Sequence, residues 1–303
     1  MEILTYYEVD DQQMSELTLA CFSHAYSREH VKKMVAADSR LPDWGGELYA
    51  CENGKVLGTV GLLYPKLKTS EGVIKVGGIR NVCTRPSTSR KGTARKLMEE
   101  AHRRMVEEGV RYSLLMTSRS LIAYDLYLKL GYKDVHIYPT AFKKVEKKDA
   151  KVEFREEVDP MYVKELYRQS VSDLEGLTVR EDDYWQMAEA RGWPSNDNVE
   201  FAYLGDEKVG YAMYHKRRKQ VDCGEIAAKD ENSLRDILES LEATVDREFI
   251  VIYYVNPDHH KLLDQMGYTI NNDNWGRVMM KDIGDENSLE FDHKFHVGCY
   301  ETY

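Results

Sequence analysis

Residues 85–105, RPSTSRKGTARKLMEEAHRRM, concentrate five cations in their first twelve positions: Arg85, Arg90, Lys91, Arg95 and Lys96. Among them stand the small polar residues Ser87, Thr88 and Ser89. Gly92, Thr93 and Ala94 then leave little side chain over the start of what reads as a helix. The first N–H groups of a helix have no partner within it, and the helix dipole places partial positive charge there. Small residues let an anion approach closely. The segment therefore reads as a phosphate cradle, with charge from Arg90 and Lys91 and a helix mouth left clear by Gly92 and Ala94. Neither common phosphate loop is present: Thr93, not lysine, follows Gly92, so there is no GxxxxGK[ST], and GxGxxG is absent. The same residues also suit an exposed basic helix start that holds no ligand.

The elements that must position this cradle follow from periodicity. Before it, the spacing predicts helices over residues 12–22 and 28–37 and strands over 48–51, 56–63 and 73–84. The cradle opens a helix over 92–108 with Gly109 as its C-terminal cap. Leu97, Met98, Ala101 and Met105, together with Ala94, fall on one face, and Arg95, Lys96, Glu99, Glu100 and Arg103 point away. A buried strand over 111–117 and a helix over 120–130 come next. This order is mixed α/β.

The pattern then recurs. YACENGKVLGTVGLLY (49–64) and YLGDEKVGYAMYHK (203–216) are each a strand, a charged turn and a strand opening on Lys-Val. LYLKLGYKDV (126–135) and LLDQMGYTIN (262–271) are each a helix end, Gly-Tyr and an extended segment. The shared order, offset by roughly 150 residues, reads as duplication of one α/β unit. The domains expected are 1–145 and 152–283, joined by a charged linker and followed by a tail over 284–303.

Composition narrows the function. The formal net charge is −10, which argues against a nucleic-acid partner and is compatible with a cationic small molecule. No apolar run is long enough to span a membrane, and the opening residues, without a basic or apolar stretch, are not expected to act as a secretory leader. Five cysteines without CxxC suit reduced thiols and a cytoplasmic location.

Ser89-Arg90-Lys91-Gly92-Thr93-Ala94 resembles motif A of the GCN5-related N-acetyltransferase (GNAT) superfamily, in which Gln or Arg stands where this chain has Ser89. LYLKLGY (126–132) is similar to the family's motif B ending, and the preceding hairpin also fits. The tandem resembles the enhanced-intracellular-survival (Eis) group, including GLTVR and the closing WGRVMMKDI (275–283), but without that group's sterol-carrier-like third domain. The resemblance implies two GNAT-type domains, each a mixed, mostly antiparallel sheet flanked by helices. It implies acetyl-CoA as acyl donor and a primary amine as acceptor. A non-catalytic acyl-CoA-binding module of the same architecture is the alternative.

It also implies residue roles. The cofactor pyrophosphate would lie on residues 90–95. Val82, Cys83 and Thr84 would offer backbone groups to the acetyl and pantetheine portions, with Ser120 and Ala123 on the other side. Tyr127 matches the general acid, since a phenol can donate its proton to a forming thiolate; as a plain residue it also suits an apolar helix face. No base is legible in the strand before motif A. His24, His30, Asp43 and Glu47 lie in segments expected to line the acceptor side, Trp44 suits either a substrate wall or packing, and a terminal carboxylate on Tyr303 is a further candidate. The second domain reads as degenerate: residues 227–240, AAKDENSLRDILES, lack glycine and begin acidic, and Leu263 stands where Tyr127 does. HKRRK (215–219) reads as a solvated turn. No metal is expected. Asp292, His293, His296 and Cys299 have metal-like spacing with no paired half-site, and His259-His260 reads as a cap.

Overall fold

The computed structural model describes residues 1–22, 24–88, 90–145, 149–191, 198–244, 246–284, 291 and 294–298. In chain order the first half forms β1 (Glu2–Thr5), α1 (Asp11–Phe22), α2 (Arg28–Ala37), β2 (Glu47–Glu52), β3 (Lys55–Leu63), β4 (Lys66–Thr69), β5 (Gly72–Lys75), β6 (Gly77–Thr84), α3 (Thr93–Glu107), β7 (Tyr112–Ser118), α4 (Ala123–Lys129), β8 (Lys133–His136) and β9 (Thr140–Lys144). The second half forms β10 (Glu153–Glu156), α5 (Pro160–Ser170), β11 (Glu175–Leu177), α6 (Tyr184–Ala190), β12 (Asn198–Leu204), β13 (Glu207–Lys216), β14 (Gln220–Ala228), α7 (Glu231–Thr244), β15 (Phe249–Ile252), α8 (His260–Gln265), β16 (Thr269–Asn271), β17 (Gly276–Asp282) and β18 (Phe295–Val297).

The helices start and stop where local chemistry permits. The Ser27 hydroxyl accepts the N–H of His30 at the head of α2, and Asp159 does the same for Tyr162 at the head of α5. Gly109, at a φ of 70°, turns the chain out of α3 while Val110 N–H closes on Met105 O. Leu97, Met98, Ala101 and Met105 are fully buried, and each of the three larger side chains stabilises the fold by about 1.5–3 kcal/mol. Ala94 is only half-buried.

Two expectations change. Residues 73–84 are not one strand: the chain breaks at Val76, sending β5 into one sheet and β6 into another. The helix expected over 120–130 spans only Ala123–Lys129, because Ser118 turns the chain first, its Oγ accepting the N–H of Ser120.

Two seven-stranded sheets carry the fold, in the orders β1-β2-β3-β6-β7-β17-β8 and β10-β12-β13-β14-β15-β9-β16. Each is mostly antiparallel with a single parallel pair, β6 with β7 in the first and β14 with β15 in the second. A smaller sheet, β18-β11-β4-β5, bridges the halves. The two large sheets also exchange strands. β17, from the second half, runs antiparallel to β7 and β8 in the first sheet, and β9, from the first half, lies between β15 and β16 in the second. Met279 of β17 is fully buried in the first core with Leu97, Leu115, Tyr127 and Tyr132. Ala141 of β9 is fully buried in the second core with Ile237, Leu241 and Ile250. The exchange is locked by charge: Arg277 of β17, 1% exposed, lies 3.4 Å from Asp134 of β8. The expected boundary between residues 145 and 152 thus falls between two sheets that each contain a strand from across it.

The tail docks through β18, which runs parallel to β11. Tyr303, Asp292, His293 and Cys299 lie outside the described residues. Among the described residues no group of three His, Cys, Asp or Glu side chains could hold a metal ion. No described helix is long and apolar enough to cross a membrane.

Candidate active site

The first sheet opens along one line. β6 and β7 pair in parallel only from Gly77–Ser113 to Ile79–Leu115. Beyond that point β6 stays with β3 and β7 stays with β17, so the two strands part and leave a wedge in the middle of a sheet. A bulge drives β6 away: Asn81 takes a φ of 51°, and the pairing with β3 steps from Gly61–Arg80 to Thr59–Cys83. Among the described residues, the edge of β6 that faces the wedge has no neighbouring strand past Ile79. Val82, Cys83 and Thr84 are half-buried along it. Their backbone can pair with an extended amide-bearing chain as a strand would. Burial and the neighbouring Cys21 thiol push the Cys83 thiol up, so Cys83 offers no thiolate there.

The mouth of the wedge faces the N-terminus of α3. Gly92 is the capping residue, in left-handed conformation at φ 81° and ψ 2°, and no side chain caps the helix. A β-carbon at Gly92 would meet nothing within 4 Å, so the space over the first turn is open, while the positive φ itself favours glycine. Arg90 also has a positive φ, 62°, unusual for a side-chain-bearing residue. Two such residues around Lys91 fold the backbone into a concavity suited to an anion. Arg90, Lys91 and Arg95 are exposed; Thr93 is buried and Ala94 half-buried. Arg95 leans toward Glu99 at 4.0 Å. These residues fit a pyrophosphate. Ser89 lies outside the described residues.

Across the wedge, Ser120 is exposed in the turn after β7 and Ala123 is half-buried at the start of α4. One turn on, Tyr127 is 6% exposed and its ring meets Tyr132 edge-on at 6.0 Å. Burial alone pushes its phenol up to about 12. A phenol so placed keeps its proton at neutral pH and can donate it to negative charge that develops beside it, as on a departing thiolate. Tyr132 is held separately, by His102 at 2.8 Å and Ser113 at 2.5 Å.

The sheet face under α1 and α2 joins two of the base candidates, Glu47 and His30, to groups that sequence reasoning missed, Arg80, Asp38, Arg40 and Arg191. Arg80, where the strands part, is 5% exposed, and its Nη2 lies 2.7 Å from Oε1 of Glu47 on β2. Asn81 donates to the same oxygen at 3.2 Å. Burial raises the Glu47 carboxyl, against the opposing pull of Arg80. Nearby, Asp38 accepts from Arg40 Nε at 2.8 Å and from Nη2 of Arg191, from the second half, at 2.8 Å. Burial acts to raise the Asp38 carboxyl, but the hydrogen bond and charge of Arg40 and the charge of Arg191 outweigh it and hold the group at about 2. His30 is held below its usual range by burial and then by Lys33, Arg80 and Arg191. Of the other base candidates, His24 and Asp43 are exposed. Trp44 packs on the opposite, α3 face, beneath Arg104 at 4.5 Å. One signal was readable beforehand: an arginine in the otherwise uncharged run VGGIRNVCT.

The second sheet has the corresponding wedge. β14 and β15 pair in parallel only from Gln220–Phe249 to Cys223–Ile252. Tyr167, Leu234, Leu238, Leu263, His259 and His296 close around it and leave a cavity of about 40 Å³, room for water but not for a pantetheine arm. Asp230 accepts the N–H of Ser233 at 2.7 Å and so caps α7 with a negative group. Leu263, in the place of Tyr127, is 2% exposed.

Residues 4–135 match the family model described as "Acetyltransferase (GNAT) domain". None of the curated proteins matches the chain. Among solved structures, a GCN5-related N-acetyltransferase from Anabaena variabilis is similar over 93% of this chain and 73% of its own, at 16% identity and a TM-score of 0.69. One from Kribbella flavida covers 93% and 70%, at 14% identity and a TM-score of 0.66. Eis1 from Mycobacterium abscessus covers 93% and 73%, at 14% identity and a TM-score of 0.58. At these identities the likeness speaks for fold alone, and it extends over both sheets. Residues 4–135, with their parted strands and open helix N-terminus, form a GNAT-type acetyltransferase domain, of a family that uses acetyl-CoA as acyl donor, and the chain is similar in fold to Eis1 across its two large sheets.

Proposed function

We propose that the protein is an acetyl-CoA-dependent N-acetyltransferase that acetylates a primary amine on a small molecule by direct attack on the thioester. The observation that carries this reading is the wedge that opens after Ile79–Leu115 directly onto the uncapped N-terminus of α3. Acetyl-CoA supplies an acetyl group activated as a thioester. Residues 90–95 hold the negative charge of its pyrophosphate through N–H groups and cations. The free edge of β6 at Val82, Cys83 and Thr84 orients the arm, with Ser120 and Ala123 on its far side. Tyr127 protonates the departing sulfur as the amine nitrogen bonds to the acetyl carbon and the carbon–sulfur bond breaks; the proton that the nitrogen sheds leaves through water, which returns one to Tyr127.

On this reading residues 1–145 form the catalytic unit. Residues 152–283 shape the acceptor side, since their own wedge is filled. The unbridged cysteines, Cys21, Cys51, Cys83 and Cys223 among the described residues, accord with a reducing, cytoplasmic setting. The test is a calorimetric titration with acetyl-CoA, with Gly92→Glu as control, followed by thiol-release assays on an amine panel. One site per chain, lost in the variant, supports the reading, and no binding overturns it.

A further inference from the structure

On the sheet face under α2 three guanidinium groups, Arg40, Arg80 and Arg191, meet two carboxylates, Asp38 and Glu47, although the chain as a whole is acidic. Arg80 sits one residue past the last β6–β7 pair, on the sheet face that α1 and α2 cover. Its side chain is 3% exposed. Its Nε and Nη2 have no aligned hydrogen-bond acceptor among the described residues, although Nη2 lies close to Glu47. Arg191 comes from the end of α6, close enough to Arg80 and His30 for their charges to interact. Its Nη2 is on Asp38, yet its buried Nε also lacks a partner among the described residues. Asp38 already holds Arg40 through both oxygens, so one carboxylate there faces two guanidinium groups.

Buried N–H donors aligned to nothing are rare in folded proteins, and a guanidinium matches a planar pair of oxygens best. A polyamine would bring more positive charge to a wall that already has unsatisfied donors. We propose that the acceptor is an amine that also carries a carboxylate, of the free amino-acid type, with Arg80 and Arg191 reading the carboxylate while the amine lies at the wedge. This deepens the acetyltransferase reading and rests on it. Arg80 and Arg191 act as specificity residues.

The experiment compares α-amino acids with their methyl esters, their decarboxylated amines and spermidine, in thiol-release assays on the full chain. The acids are expected to exceed their esters by at least about tenfold in kcat/KM. Arg191→Gln is expected to raise KM for the acids by about tenfold with kcat held, and to leave KM for the esters unchanged; Arg191→Lys restores part of the loss. A merely structural role would move both substrates together, and that result overturns the proposal. So does a preference for spermidine or for the esters. Calorimetric titration with the amino acids alone needs no donor. Absence of acid binding there sinks the acceptor class even if acetyl-CoA binds, whereas absence of acetyl-CoA binding alone counts against the enzyme reading.

Discussion

Ile79 and Leu115 are the last residues at which β6 and β7 run side by side. One residue further on, the backbone of β6 has lost a neighbour on one edge while keeping β3 on the other. An interior strand edge without a partner is costly to leave dry. The mouth of the resulting wedge lies on the side of the open N-terminus of α3, so backbone groups and dipole are presented on the same side of the sheet.

The cradle rests on Gly92. Gly92→Glu places a carboxylate over the anion site and should lower acetyl-CoA affinity by at least about tenfold in calorimetry, with an unchanged circular dichroism spectrum. Gly92→Ala adds no clash but holds alanine at a φ of 81°, and should cost about 1 kcal/mol in a urea melt.

Tyr127→Phe keeps the ring and removes the proton. Acetyl-CoA affinity should stay within about twofold, while kcat falls by roughly 10²–10⁴. Because burial pushes the phenol up to about 12, the native kcat should show no descending limb from this group between pH 7 and 10. A fall in that window assigned to Tyr127 by its loss in the variant would contradict the environment described.

The exchanged strands make each sheet dependent on the other half. Met279→Ala removes a fully buried side chain from the first core and should cost about 2–5 kcal/mol, read as a lowered urea midpoint. Residues 1–145 expressed alone lack β17, so they should show no cooperative unfolding transition. A sharp transition in that fragment would count against the dependence.

Acid should unfold the protein earlier than its carboxylates require. Burial holds His102, His136 and His259 at about 4, so each is neutral when folded and binds a proton more readily when unfolded. A depressed histidine contributes stability that is present above the unfolded value near 6.5 and is lost as pH falls from there toward 4, by about 1–3 kcal/mol each. Urea midpoints should therefore drop between pH 7 and 5. His136→Gln, at a residue that packs on Phe295 at 4.8 Å, should flatten the slope. An unchanged slope in that variant would mean His136 titrates alike in both states.

Much of this architecture was legible in the chain. The apolar stripe of Leu97, Met98, Ala101 and Met105, the turn at Gly109 and the repeated hairpins are local, period-driven features, and they lie where periodicity put them. The open, uncapped start of α3 was legible because Gly92 acts through backbone geometry. The strand exchange was not, because β9 and β17 read as ordinary strands and only long-range pairing decides which sheet receives them. Nor was the Arg80–Glu47 contact, which joins residues on different strands through a bulge that residue pattern does not mark. Trp44 was equally ambiguous between the two faces of the sheet, and Arg104 on α3 decides it.

The exchange also sets an order of events during synthesis. When residues 1–145 leave the ribosome, β7 presents a bare edge, because its partner at residues 276–282 is still to be made. The first sheet closes only after nearly the whole chain has emerged, and β9 waits likewise for β15 and β16. Synthesis at about 5–20 residues per second leaves that edge open for several seconds to tens of seconds. An unpaired strand edge recruits other chains, so the nascent protein is most prone to aggregate in that interval and has most need then of a chaperone that covers strand edges.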